Sequence, residues 1–191
     1  NFEVTPAVSL DKSSGSVGEN VTMTGTVFNA NDTHIAILFA NKEVQTEIIS
    51  ADAKGYWQKK FVVPEMPKGT YTVTAEGELT PKQEVNQRNF TIAPGIVLSS
   101  TEGHVGMDFT VTGRGFAANK DFAIIYEDNQ VTTDTTDNKG SFNVSFVVPK
   151  SRHGQHQIKA QDDAGNNATA TFTMESNAPG TPTLTSPTDG G

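Results

Sequence analysis

The stretch SVGENVTMTGTVF (residues 16–28) recurs as HVGMDFTVTGRGF (residues 104–116), 88 positions later. A second pair, DAKGYWQKKFVVPEMPKGTYTVTA (52–75) and DNKGSFNVSFVVPKSRHGQHQIKA (137–160), is displaced by 85 positions. The connecting segment is therefore three residues shorter in the second copy (88 − 85). Self-similarity of this extent indicates two related modules that follow one another in the chain.

Apolar and polar residues alternate within each copy, which is the period of a β-strand. In VTMTGTV this alternation predicts that Val21, Met23 and Val27 point into a core. Clusters of Gly, Pro, Asp and Asn separate about seven such stretches per copy. The sequence therefore predicts an all-β fold of two tandem immunoglobulin-like antiparallel β-sandwiches. Trp57 aligns with Phe142 and is predicted to be a core aromatic residue.

The opening Val-Gly-x-x-Phe-Thr-Val-x-Gly-x-Gly-Phe of the second copy is followed by an Asp-x-x-Gly turn, a Val-Pro ending and an alternating strand. This succession resembles the repeats of bacterial and archaeal cell-surface proteins that are related to IPT/TIG immunoglobulin-like modules. The resemblance covers nearly all of residues 7–176. It implies an extracellular, cell-surface location. Modules of this kind serve as spacers, adhesive units, and layer or filament subunits. The first copy departs from the pattern at Val27, which stands where the second copy has Gly115.

The chain opens with NFEVTP, which matches NFTIAP at residues 89–94, the end of the first copy. Phe2 and Val4 are therefore predicted to form either the last strand of a preceding repeat or a strand donated to a neighbouring subunit. The simplest interpretation is an excerpt from a longer array. The predicted organisation has four parts: residues 1–6 as this strand, 7–93 as repeat 1, 94–176 as repeat 2, and 177–191 as a Pro/Thr/Gly-rich linker.

Composition excludes several classes of function. The formal net charge is −8 and Lys and Arg form no cluster, so nucleic acids are not expected as partners. No apolar run reaches the length of about 18–20 residues that a membrane-spanning helix needs, so this segment is not expected to insert into a membrane. The chain has no cysteine, which excludes disulfides, thiolate catalysis and cysteine-ligated metals.

Two histidines, His153 and His156, offer a pair of imidazoles. A shared metal is one interpretation of this pair. Alignment favours another, because His156 matches the aromatic Tyr71 and His153 matches Lys68 in a turn. We therefore predict that His156 fills an aromatic position at the edge of the core.

Two acidic, Asn-rich stretches, DNKG (137–140) and QDDAGNN (161–167), could bind calcium weakly, although neither has the full loop of twelve residues that ends in glutamate. Tight turns are the favoured interpretation, because Asp and Asn bind local backbone amides and Gly takes positive φ. The stretch TGRGFAA (112–118) is a partial dinucleotide fingerprint, but a β pattern follows it where a helix is required. No cofactor is expected.

Five Asn-x-Ser/Thr sequons fall at predicted turns or outward strand positions and are candidate glycosylation sites: Asn20, Asn31, Asn89, Asn143 and Asn167. No catalytic grouping is repeated between the copies. The sequence predicts a non-enzymatic spacer or adhesive module of a larger cell-surface protein. Its expected partners are neighbouring repeats or identical subunits, and cell-wall or glycan ligands.

Two alternatives remain open. One is a subunit of an extracellular filament or surface layer assembled by strand donation. The other is a carbohydrate-binding accessory module of a secreted enzyme, which the absence of an exposed aromatic row makes less favoured.

Overall fold

Residues 4–45 and 47–175 are described by the computed structural model of the chain, and they contain sixteen strands and one short 3-10 helix, Lys82–Glu84. Half of the strands form a first sandwich and half a second. The first sandwich contains β1 (Ala7–Leu10), β2 (Ser14–Ser16), β3 (Asn20–Thr26), β4 (Ala36–Phe39), β5 (Lys42–Glu43), β6 (Trp57–Val62), β7 (Gly69–Glu76) and β8 (Arg88–Ala93).

The second sandwich repeats this order of elements. It contains β9 (Gly95–Leu98), β10 (Glu102–Gly103), β11 (Asp108–Arg114), β12 (Asp121–Tyr126), β13 (Asn129–Thr135), β14 (Phe142–Val147), β15 (Gly154–Asp162) and β16 (Asn167–Met174). Each sandwich packs a three-stranded sheet on a five-stranded one: β1-β3-β6 on β2-β8-β7-β4-β5, and β14-β11-β9 on β10-β16-β15-β12-β13.

The first strand of each module is divided between the two sheets. In the first sandwich β1 pairs antiparallel with β3, whereas β2 crosses over and pairs in parallel with β8. In the second sandwich β9 pairs with β11, and β10 pairs in parallel with β16. The prediction of about seven strands counts this divided strand once, and the other pairs are antiparallel as predicted.

Alternating side chains of both sheets fill two separate cores. Trp57 is 2% exposed and packs edge-to-face on Phe28, and its counterpart Phe142 stacks on Phe122 in the second core. The predicted core aromatic position is therefore confirmed in both copies. Burial of such rings contributes about 2–3 kcal/mol each, which is the main source of stability in small sandwiches.

The inward orientation predicted for Val27 is wrong. Its side chain is 40% exposed, because β3 ends at Thr26 and the chain then turns. Val27 has a φ of 62° and Gly115, its counterpart, a φ of 71°. A β-branched residue in this left-handed region is strained, since its Cβ crowds the backbone carbonyl.

We therefore expect Val27→Gly to raise the free energy of unfolding of the first sandwich by about 1 kcal/mol. Urea denaturation followed by the fluorescence of Trp57, the single tryptophan, measures this change. The reciprocal change Gly115→Val should destabilise the second sandwich. A lower stability of the Val27→Gly variant would show that the exposed valine contributes more than its backbone strain costs.

Candidate functional site: the junction between the two sandwiches

The two sandwiches follow one another with a single residue, Pro94, between β8 and β9. A turn of the second sandwich lies directly on the end of β8. A Cβ atom at Gly115 would lie 2.8 Å from the carbonyl oxygen of Ala93 and 3.0 Å from Cγ2 of Ile92. The glycine at this position therefore permits a close approach that a side chain would prevent.

The Asp-x-x-Gly turn of the second sandwich, Asp137–Gly140, shapes one side of the junction. Oδ1 of Asp137 accepts hydrogen bonds of 2.8 Å from the backbone amides of Lys139 and Ser141. The amide of Phe116 donates to the carbonyl of Gly140 over 3.0 Å. These bonds fix the backbone of the turn and therefore the positions from which the side chains of Lys139 and Ser141 extend.

The same turn occurs at Asp52–Gly55 in the first sandwich. Asp52 Oδ1 accepts from the amides of Lys54 and Tyr56 over 2.8 and 2.9 Å. Hydrogen bonds from the Tyr56 and Lys54 amides lower the pKa of Asp52, because they stabilise its ionised form. In both turns the aspartate binds backbone amides, as the turn interpretation predicts for residues 137–140.

Glu65 of the first sandwich reaches across to this turn. Its carboxylate accepts hydrogen bonds from the hydroxyl of Ser141 over 2.9 Å and from Nζ of Lys139 over 3.2 Å. Arg114 Nε lies 3.9 Å from the same carboxylate. Three side chains of the second sandwich therefore converge on one side chain of the first.

A backbone contact accompanies this network. The amide of Lys68 donates to the carbonyl of Phe116 over 2.9 Å, which joins the loop after Glu65 to the turn that follows β11. We call Val17, Val62, Pro64 and Glu65 the trailing face of the first sandwich, and Arg114, Lys139 and Ser141 the leading face of the second.

The hydrogen bonds from Ser141 and Lys139 lower the pKa of Glu65 below its ordinary value, and the positive charges of Lys139 and Arg114 add to this effect. Because the pKa of Glu65 is lowered, the carboxylate makes its full contribution to the contact at pH values above the ordinary pKa of glutamate. That contribution is lost as the pH falls through the lowered value. The side chain is 38% exposed, so solvent screens the interaction.

His156 occupies the position of Tyr71, which alignment predicts. Its ring stacks on Tyr126 with centroids 5.2 Å apart, and Nε2 lies 2.7 Å from the carbonyl of Arg152. Tyr71 makes the equivalent bond, from its hydroxyl to the carbonyl of Pro67 over 2.8 Å. Nδ1 of His156 contacts the Glu127 carboxylate at 2.9 Å, so both ring nitrogens bind within the sandwich.

Asp162, from the second acidic stretch, is buried and serves as a hydrogen-bond acceptor. Its Oδ1 accepts from the amide of Asn166, while Oδ2 accepts from the amide of Ala117 and from Nδ2 of Asn166, all within 2.9 Å. Within residues 4–45 and 47–175, no group of three or more His, Asp or Glu side chains is placed to hold a metal ion.

The five sequon asparagines are all exposed. Asn20 and Asn143 lie on three-stranded sheets, Asn89 and Asn167 on five-stranded sheets, and Asn31 in a turn. Their glycosylation stays a prediction.

The donated-strand residues divide between described and undescribed parts of the chain. Val4 is 66% exposed, whereas Phe2 lies outside the described residues. The chain joins its own sandwich from Pro6, whose carbonyl accepts a hydrogen bond of 3.2 Å from the amide of Asn86. The donated strand therefore also stays a prediction.

Residues 6–91 match the IPT/TIG domain family. The predicted resemblance is therefore confirmed for the first sandwich. No curated protein sequence matches the chain at a significant level.

Several solved protein structures are similar to this chain. The adhesin InvE of Yersinia pseudotuberculosis is 12% identical with a TM-score of 0.41, covering 90% of this chain and 58% of InvE. The D0–D1 domains of intimin are 16% identical with a TM-score of 0.33, covering 87% of this chain and 97% of that one. SGBP-B of Bacteroides ovatus, in complex with a mixed-linkage heptasaccharide, is 11% identical with a TM-score of 0.39. The match covers 90% of this chain and 60% of SGBP-B. The chain thus spans less than two thirds of InvE and of SGBP-B.

Among the residues that the structure describes, no helix is both long and apolar enough to cross a membrane.

Proposed function

We propose that this chain is a non-enzymatic pair of immunoglobulin-like modules that acts as a stiff spacer and display unit of an extracellular cell-surface protein. The observation that carries the proposal is the junction, where one linking residue and the Glu65 network hold the two sandwiches together. A flexible pair would need a longer linker and fewer contacts across the joint. The resemblance to cell-surface repeats supports the location.

The same geometry suggests how such a unit works. Each sandwich is rigid because its core is filled and its strands are paired on both sheets. Bending is therefore confined to the joint. The contacts of Glu65 determine how closely the orientation of one sandwich is fixed relative to the other. Partners at the ends of the pair, which we propose to be neighbouring repeats, would then be held at a defined separation.

Distance measurement across the joint tests this mechanism. The chain has no cysteine, so Lys60→Cys and Thr171→Cys, at exposed strand positions in different sandwiches, provide two unique sites for spin labels. We expect a narrow distribution of distances in double electron–electron resonance. Glu65→Ala should broaden it, whereas Glu78→Ala should not, because Glu78 binds Thr33 and His34 within the first sandwich.

Acidification should have the same effect as Glu65→Ala. Because the pKa of Glu65 is lowered in the folded chain, the distribution should stay narrow at neutral pH and broaden as the pH falls below the ordinary glutamate value near 4.5. Equally broad distributions in all variants at neutral pH would contradict a stiff spacer. Labelling of intact source cells with an antibody against the two sandwiches tests the surface location separately.

A second candidate is a subunit that assembles by strand donation. The exposed Val4 supports it, because an apolar side chain that is 66% exposed at the start of the described chain gains from a partner that covers it. Under this proposal residues 1–6 would complete the sandwich of a neighbouring subunit.

A further inference from the structure

The trailing face that binds the second sandwich has a counterpart at the far end of that sandwich. Val105, Val147, Pro149 and Lys150 align with Val17, Val62, Pro64 and Glu65. We call these four residues the distal face.

The backbone beneath the two faces is the same. The amide of Gly18 donates to the carbonyl of Val63 over 3.0 Å, and the amide of Gly106 donates to the carbonyl of Val148 over 3.0 Å. The distal face is therefore built on the same framework as a face that holds a sandwich within this chain.

The distal face leaves one valine more exposed than its counterpart on the trailing face, and a second about equally exposed. Val105 is 48% exposed, and Val147 is 57% exposed against 50% for its counterpart Val62. Val17, the counterpart of Val105, is only partly exposed and lines a depression that it shares with Ile96 and Arg114 of the second sandwich. An exposed valine, Val105, at a position where the trailing face is partly covered by the second sandwich indicates an interaction surface.

The charge of the distal face is reversed. Glu65 on the trailing face binds the cationic Arg114 and Lys139, but its counterpart on the distal face is Lys150. Arg152 and His153, which follow Lys150 closely, are also exposed. A sandwich docked here in the same orientation would need carboxylates where the second sandwich carries its cations, because like charges in contact are unfavourable.

We propose that the distal face docks another immunoglobulin-like sandwich whose leading face is acidic at the positions of Arg114 and Lys139. This inference rests on the proposed spacer function and names the partner of its distal end. In the docked pair the amide of His153 donates to a carbonyl of the partner, as the amide of Lys68 donates to that of Phe116.

An unmodified second copy of this chain fits poorly. Its first sandwich has Thr26 at the position of Arg114 and Lys54 at the position of Lys139. Docking would place Lys54 against Lys150, two cations, with no carboxylate between them. The surface therefore discriminates against head-to-tail association of identical chains and selects a partner of opposite charge.

The probe for this proposal is a second copy of the full chain that carries Thr26→Glu and Lys54→Glu, both at exposed positions. It is added without isotope label to the 15N-labelled wild-type chain. We expect saturable chemical-shift changes at the amides of Val105, Val147 and Lys150. Wild-type probe should bind about tenfold more weakly, because two favourable surface charge pairs are missing.

A charge swap provides the matched control. Labelled Lys150→Glu chain should lose its response to the acidic probe and gain a response to wild-type probe, whose Lys54 then meets a carboxylate. Circular dichroism verifies that each variant is folded. Absence of shifts with the acidic probe, or shifts away from the distal face, would overturn the proposal. A broad distance distribution across the internal joint would instead contradict the proposed function, so the two failures are distinguishable.

Discussion

Replacing Asp162 with alanine is expected to lower the free energy of unfolding of the second sandwich by about 4 kcal/mol. The carboxylate is 2% exposed and accepts three hydrogen bonds, from the amides of Ala117 and Asn166 and from the Asn166 side chain. Alanine would leave these donors buried without an acceptor. Each unsatisfied donor costs about 1–3 kcal/mol, and partial access of water reduces the sum.

The single tryptophan makes the measurement specific. Trp57 reports unfolding of the first sandwich, whereas far-ultraviolet circular dichroism reports both. We expect Asp162→Ala to shift part of the dichroism transition to lower urea and to leave the Trp57 transition nearly unchanged. The neighbouring change Asp163→Ala is the matched control, because Asp163 is exposed. Equal effects of the two changes would show that charge removal, and not the lost acceptor, is responsible.

Gly140→Ala is expected to destabilise the same sandwich by about 3 kcal/mol or more. Gly140 has a φ of 70°, and a Cβ atom there would lie 1.9 Å from the carbonyl oxygen of Phe116. Phe116 cannot withdraw without losing the bond of 3.0 Å from its amide to the carbonyl of Gly140. Backbone strain and a steric clash therefore act together.

Gly165→Ala separates these two causes. Gly165 has a φ of 84°, but a Cβ there meets nothing within 4 Å. We expect a cost of about 1 kcal/mol from the left-handed backbone alone. Urea denaturation followed by circular dichroism compares the two variants. Similar losses in both would mean that the turn relaxes to admit the methyl group.

The internal repeat was sufficient to predict the fold. Alternation within the copies indicates which side chains are buried, and the alignment of Trp57 with Phe142 correctly predicts that both are core residues. Alternation predicts the wrong orientation for Val27, because the pattern continues in the sequence beyond the end of the strand at Thr26. Periodicity alone does not show that the strand ends three residues before Asn29, the first asparagine of the following turn.

The junction could not be predicted in the same way. Glu65 contacts residues 74 and 76 positions away, and its aligned counterpart is Lys150, so comparison of the copies hides the interaction. Opposite charges at the facing ends of consecutive copies were the one available signal. The role of Asp162 was likewise hidden, because the sequence does not show that the amide of Ala117 packs against it.

The parallel pairing of β2 with β8 has a consequence for a chain under tension. If the two ends of the first sandwich are pulled apart, β2 and β8 are drawn in opposite directions along their length. The contacts between Ser14–Ser16 and Thr91–Ala93 are then loaded in shear, together rather than one after another. The rate at which the β2–β8 pair ruptures would then limit extension of the first sandwich. The parallel pair β10–β16 has the same geometry in the second sandwich.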